Sequence, residues 1–283
     1  MLSYRHAFHA GNHADVLKHL ILVQLVKYLT QKDKAFWYID THAGAGAYAL
    51  DAGQALKLAE YRDGVGRLWG RDDLPPAVAD YLAQVRAFNG AAKSVLRRYP
   101  GSPLIAAPLL RADDRSRLFE LHPTDVRNLQ AAFADAGRRV TIDAGDGFDG
   151  LKALLPPAPR RALTLIDPPY EEKRDYERVV IALRDALERF STGIYAVWYP
   201  QLTRRESHEL PERLKRLPVK SWLHAALRVN TPSSDGFGMH GSGLFILNPP
   251  WTLHAQLQET LPYLVEHLGR DEGAGFILEQ LAE

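Results

Sequence analysis

The 283-residue chain has no cysteine, so it can form neither disulfides nor zinc–thiolate sites, and it fits a reducing compartment. It has no excess of charge of one sign. The formal net charge is +1, so nothing pulls the molecule as a whole towards nucleic acid, and any such footprint must be local. Long apolar runs are missing too. The longest, Leu20 to Val26, is far too short to span a bilayer. The N-terminal stretch, with Arg5, His6, His9 and His13, lacks the apolar core of a signal peptide. There are no coiled-coil heptads, internal repeats or low-complexity segments. The expectation is a cytoplasmic monomer with no membrane partner. A hydrophobic fraction of 46% is enough for one large core.

What is present is alternation. Asn12 caps a helix from His13 to Thr30, with Leu17, Leu20, Ile21, Leu25 and Leu29 as its buried stripe. Strands are expected at Phe36–Asp40, Arg117–Leu121, Arg139–Asp143, Ala162–Ile166 and Ile194–Tyr199. Helices are expected at about Thr124–Ala134, Gly147–Leu155, Arg174–Phe190 and Arg204–Arg216, and two last strands at Trp222–Val229 and Gly243–Leu247. This order predicts an α/β, doubly wound, mostly parallel seven-stranded sheet with an antiparallel end. Residues Asp271 to Glu283 read as a final strand or a loose tail. The stretch from about Ala47 to Gly101 has helical patterning and no convincing strand, and reads as a helical insertion within a single domain spanning residues 1–283. Its Arg62, Arg67, Arg71, Arg86, Lys93, Arg97 and Arg98 form either solvated helix faces or a local phosphate-binding surface.

Asp167-Pro168-Pro169-Tyr170 closes the apolar strand Ala162–Ile166. The Asp167 carboxylate and the Pro168 carbonyl can accept both hydrogens of an exocyclic amino group. The prolines stiffen the turn, and the Tyr170 ring offers a face for base stacking. Such a site suits methyl transfer to the amino nitrogen of adenine or cytosine. Asp40-Thr41-His42-Ala43-Gly44-Ala45-Gly46 follows the first strand, where glycine lets backbone approach a ligand. Glu120 ends the second strand, as an acid that binds ribose hydroxyls would. Asp146-Gly147 lies past the third, where a carboxylate can accept from an adenine amino group or simply cap a helix. Asn248-Pro249-Pro250-Trp251 resembles a variant of the same amino-methyltransferase motif, but its prolines read as a strand stop before Thr252 caps a helix. Gly236 to Gly243 reads as a loop, either a substrate-facing lid or a hairpin connection. The histidines at positions 6, 9, 13 and 19 have no cysteine or paired carboxylates beside them, so no metal is expected.

Taken in order, Asp40-x-x-x-Gly44-x-Gly46, Glu120, Asp146 and Asp167-Pro-Pro-Tyr170 look like the S-adenosylmethionine-dependent amino-methyltransferases. The opening Tyr4-Arg5-His6 through Gly11-Asn12-His13, Asp15 and Lys18-His19, with Tyr99-Pro-Gly-Ser102 and Glu120-Leu-His-Pro123, closely resembles the bacterial RlmJ family from Met1 to about Trp251. The resemblance implies a Rossmann-like class I methyltransferase fold that modifies adenine N6 in large-subunit (23S) ribosomal RNA. It implies donor contacts from His19, His42, Gly44, Ser102, Glu120, Asp146, Gly147 and Asp167. Tyr4, His6 and Lys18 would lie on the substrate side, with residues 1–30 covering the active site. Asp167, with Pro168 and Tyr170, would be catalytic. A DNA adenine methyltransferase or a non-catalytic nucleic-acid binder on the same fold are the alternatives. No recognisable DNA-reading module is present, and the complete motif weighs against a retired enzyme.

Overall fold

The computed structural model describes residues 6–51, 57–90 and 95–282. Helix α1 (His13–Thr30) begins at Asn12, whose side chain accepts from the Ala14 and Asp15 N–H groups. It is buried almost all round rather than along one stripe. The reason is that it lies between the sheet and the helices of the insertion, which cover the face a peripheral helix would leave wet.

Strand β1 (Trp37–Asp40) follows, and then the insertion. Contrary to the expectation of helices alone, the insertion is closed by a two-stranded ribbon, β2 (Ala47–Ala49) against β3 (Arg98–Pro100), antiparallel. Each strand has only three residues, too short to show a period of two. Between them lie the short helix α2 (Val65–Trp69) and α3 (Pro76–Phe88). Lys93 falls outside the described residues. The insertion's arginines are partly committed to the fold. Arg67 donates to Asp63 and the Gly269 carbonyl, Arg71 pairs with Asp73 and Tyr263, and Arg86 bonds the Trp69 carbonyl. These three knit the insertion together and to the C-terminal part of the chain, so they are no free phosphate-binding set.

After α4 (Ser102–Ala106) come β4 (Arg115–Glu120), α5 (Pro123–Ala132), β5 (Val140–Ala144), α6 (Gly147–Leu154), β6 (Ala162–Ile166), α7 (Lys173–Arg189), β7 (Ile194–Gln201), α8 (Arg205–Leu214), β8 (Trp222–Arg228), β9 (Gly241–Leu247), α9 (Leu253–Leu268) and β10 (Gly275–Leu281). The main sheet has eight strands, not seven, in the order β10-β8-β9-β7-β6-β1-β4-β5. The tail supplies the eighth, pairing antiparallel with β8 from Gly275↔Arg228 to Leu281↔Trp222. Its two outer faces are mostly solvated, which left no buried run to mark it. Strands β5, β4, β1, β6 and β7 are parallel; β9, β8 and β10 join antiparallel.

The chain leaves β1 towards β4 and β5, then returns to β6 on the other side of β1. That reversal opens a crevice at the carboxyl ends, the position at which open α/β sheets bind ligands. Register then does the placing. Asp40 pairs with Leu118 and with Leu165, so Glu120 and Asp167 each lie two residues beyond it on either side. Glu120 in turn pairs with Ala144, two residues before Asp146. Three acids from separate stretches of chain therefore meet at one edge.

Candidate active site

A cavity of about 700 Å³ opens at this edge, within the range of small-ligand sites. Its floor is the glycine turn after β1. Gly44 and Gly46 have φ of +64° and +81°, which favours glycine at both. The turn is pinned from the next strand: Glu120 Oε2 accepts from the Gly44 N–H at 2.8 Å and its Oε1 from the His122 N–H at 2.7 Å. Burial pushes the Glu120 carboxyl up, and these two bonds oppose the shift. Asp146 caps α6 by accepting from the Phe148 N–H at 2.9 Å, so the capping reading holds. It also pairs with Arg178, whose guanidinium lies over the Phe148 ring. Gly147 has a steric cause: a Cβ there would sit 1.9 Å from the Thr41 carbonyl oxygen.

His42 lines the cavity, its Nδ1 2.8 Å from Thr41 Oγ1 and its ring edge-on to Phe148; burial pushes it down to about 4. Ser102 also lines it, but its hydroxyl donates to Asp40 Oδ2 at 2.6 Å. The Tyr38 hydroxyl donates to the same oxygen, also at 2.6 Å, and the His42 N–H to Oδ1. Asp40 is fully buried and holds the turn from beneath.

At the other end lies Asp167. Lys18, expected on the substrate side, reaches it directly, with Nζ 2.7 Å from Asp167 Oδ2. The same ammonium lies 3.0 Å from Asp15 Oδ1, and Asp15 Oδ2 bonds His6 Nε2 at 2.9 Å and the Gly11 N–H at 2.8 Å. Burial raises the Asp167 carboxyl, and Lys18 draws it part of the way back. Burial would lower the ammonium, but two carboxylates hold it above its ordinary value. Asp15, missed as a site residue, has its buried carboxyl held well down because His6 and Lys18 outweigh desolvation. An acid three residues before Lys18 inside an apolar helix was the available signal. Tyr4 lies outside the described residues.

Tyr170 does not offer the open stacking face expected of it. Its ring is only 2% exposed, 4.6 Å from Tyr176 between centroids, and its hydroxyl donates to the Trp198 carbonyl. Its φ is +52°, a conformation rare for an aromatic residue, held by that bond and by Arg204 donating to its carbonyl. His19 also lines the cavity. Asn248 lies elsewhere. Strand β9 is antiparallel to β7, with Leu247 opposite Tyr195 near the start of β7, so the second Pro-Pro motif is at the amino end of the parallel strands. Among the described residues no group of three or more His, Asp or Glu side chains is spaced for a metal ion.

Residues 33–278 match the family described as ribosomal RNA large subunit methyltransferase D, RlmJ. The chain belongs to this family. It is 48% identical over 275 residues to ribosomal RNA large subunit methyltransferase J of Haemophilus influenzae, covering 97% of this chain and 96% of that protein. It is 47% identical over 264 residues to the Escherichia coli K12 protein of the same name, covering 93% of each. A crystal structure of a Legionella pneumophila protein superposes with a TM-score of 0.87 at 36% identity, covering 96% of this chain and 98% of that one. The fold is the Rossmann-like class I methyltransferase fold, extended here by an eighth strand.

The residues present fit the donor such a fold uses. A carboxylate with bonding capacity to spare stands at the end of β4. The Gly147–Thr41 approach leaves no room for a side chain beside the turn, and His19 Nε2 is a buried polar atom without a partner among the described residues.

Proposed function

We propose that the chain methylates the exocyclic N6 of one adenine in 23S ribosomal RNA, with S-adenosylmethionine as methyl donor and no metal. The observation that carries this reading is the meeting of Asp167-Pro-Pro-Tyr170 with Glu120 and Asp146 around one cavity, in a chain of this family.

Asp146 and Glu120 would hold the adenine amino group and ribose hydroxyls of the donor, and Gly44 and Gly147 let backbone close on it. When bound, the donor supplies an electrophilic methyl group. The rest is orientation and electrostatics. An adenine amino nitrogen is a poor nucleophile because its lone pair is delocalised into the ring. The Asp167 carboxylate and the Pro168 carbonyl, accepting its two hydrogens, favour the pyramidal nitrogen on which positive charge develops. Lys18 occupies Asp167 Oδ2, which leaves Oδ1 for the amino group, and its charge opposes the upward push of burial on the carboxyl. The left-handed Tyr170 would fix the turn that carries the Pro168 carbonyl. An adenine must leave its stack to reach this depth. The family's rRNA substrate implies work in the cytoplasm, and no helix among the described residues is long and apolar enough to cross a membrane.

The test is methyl transfer from labelled S-adenosylmethionine to protein-free 23S rRNA, small-subunit rRNA and duplex DNA, followed by nucleoside analysis. N6-methyladenosine in 23S rRNA alone is the expected result. Label in DNA, or at another nucleoside, overturns the reading.

A further inference from the structure

Two tyrosines of the insertion reach the candidate donor pocket through one histidine. Tyr81 on α3 and Tyr99 on β3 are both fully buried. Their hydroxyl oxygens lie 2.9 Å apart, and Tyr99 Oη lies 2.8 Å from His19 Nδ1. The Tyr99 and His19 rings are stacked, with centroids 5.5 Å apart. His19 Nε2 is buried and has no partner among the described residues, although the side chain lines the cavity. Burial pushes His19 down to about 3, so the ring is neutral and carries one N–H. Burial pushes both tyrosines up, so both hydroxyls keep their protons.

The direction of this chain follows from counting protons. Tyr81 stands at its dry end, with Tyr99 as its hydrogen-bond partner. If Tyr99 donated to Tyr81, the Tyr81 proton would be buried without an acceptor, which costs ~1–3 kcal/mol. Tyr81 therefore donates to Tyr99, and Tyr99 donates to His19 Nδ1. Nδ1 is then the acceptor nitrogen and Nε2 carries the hydrogen.

The order of groups along the sheet edge says what that hydrogen meets. Asp146 and Glu120 are acceptors at β5 and β4, suited to the adenine and ribose end of the donor. The amino-acid end then falls beyond β1 towards β6 and α1, where His19 lies. A neutral N–H matches an acceptor there and not an ammonium.

We propose that Tyr99, backed by Tyr81, is a positioning residue that locks His19 as the Nε2–H tautomer, and that this N–H binds the carboxylate of the methyl donor. The proposal rests on the donor reading above. It gives the insertion a part in donor recognition, since neither tyrosine touches the cavity itself.

The experiment has two readouts on the full chain. Nitrogen-15 spectra of the histidine rings, with His19 assigned by its loss in His19→Gln, report the tautomer; Nε2–H is expected in the wild type. Nδ1–H there overturns the proposal whatever the variants do. Calorimetry then compares S-adenosylmethionine with its decarboxylated analogue. Tyr99→Phe should weaken the first about ten-fold, the range for a hydrogen bond to a charged group, and leave the second within about two-fold. Equal losses for both ligands mean a structural role only and overturn the proposal, as does no loss for either. Tyr81→Phe, which leaves Tyr99 still able to donate, should show the same selectivity with a smaller loss, and it serves if Tyr99→Phe does not fold. His19→Gln, with an amide hydrogen near the Nε2 position, should make donor affinity insensitive to Tyr99→Phe. A wild-type chain that binds neither ligand would sink the donor reading itself, a result distinct from all of these.

Discussion

Two strand ends in this molecule carry nearly the same four residues and have opposite surroundings. Asp167-Pro-Pro-Tyr170 follows β6, a parallel strand, and opens into the cavity beside Lys18. Asn248-Pro-Pro-Trp251 follows β9, an antiparallel strand, and emerges at the far edge. The left-handed residue falls at opposite ends of the two motifs: the last of the first, Tyr170 with φ +52°, and the first of the second, Asn248 with φ +53°. The company differs as well. The Asn248 amide donates to the Ser191 and Gly193 carbonyls, tying down the turn before β7, and Trp251 is 83% exposed. The lesson is that a chemical motif on a strand end acquires its meaning from strand direction. The carboxyl edge collects helix N-termini, glycine turns and acids, whereas here the amino edge collects chain reversals.

Substitutions at the two ends should separate them cleanly. The largest effect is expected for Asp167→Ala, which should abolish methyl transfer while the far-ultraviolet circular dichroism stays native; near-wild-type turnover would remove Asp167 from the chemistry. Next is Lys18→Met. It takes the cation from Asp167 and leaves Asp15 with His6 and the Gly11 N–H, so a stability loss of about 3 kcal/mol, the low end for breaking a buried pair, is expected in urea unfolding. The proposed mechanism uses ionised Asp167, whose carboxyl is already raised, so activity is expected to rise with pH as that carboxyl ionises. Removing the cation raises the carboxyl further and moves this limb to higher pH. The sign for stability is the opposite: a carboxyl raised in the folded state favours folding at low pH, and that contribution is lost as pH rises through the folded value. An unmoved pH profile would show that Lys18 does not set Asp167.

Glu120→Ala should weaken S-adenosylmethionine binding at least about ten-fold, as expected for a half-buried charged acceptor, with RNA affinity little changed. Parallel losses in filter binding of RNA and calorimetry of the donor would mark Glu120 as a brace for the Gly44 turn. The smallest effect belongs to the other motif. Asn248→Ala removes two hydrogen bonds and should cost ~1–2 kcal/mol of stability with an unchanged transfer rate. A rate collapse there would place chemistry at the wrong edge and dissolve the comparison.

Much of this was legible because the responsible forces are local. The apolar run Ala162–Ile166 can only be a buried strand, and it delivers Asp167 to an edge. The glycine turn after β1 reads as backbone that faces a ligand, and Gly44 lines the cavity. Lys18 is different. Nothing within a few residues of it reveals a partner 149 positions away, because that contact depends on how α1 is laid across the sheet. The β2–β3 ribbon is too short for any period, and β10 is too exposed to be marked by burial. Tyr170 shows the limit of reading function from residue type: an aromatic ring after two prolines suggested a stacking platform, and packing made it a buried brace.

The sequence by itself determined the alternation of strands and helices, the acids at the strand ends and the family, because periodicity, glycine turns and contiguous motifs are properties of neighbouring residues. Only the tertiary structure decided which cation holds Asp167 and which tyrosines hold His19. Strand direction and long-range packing, which those contacts require, are written in no single stretch of the chain.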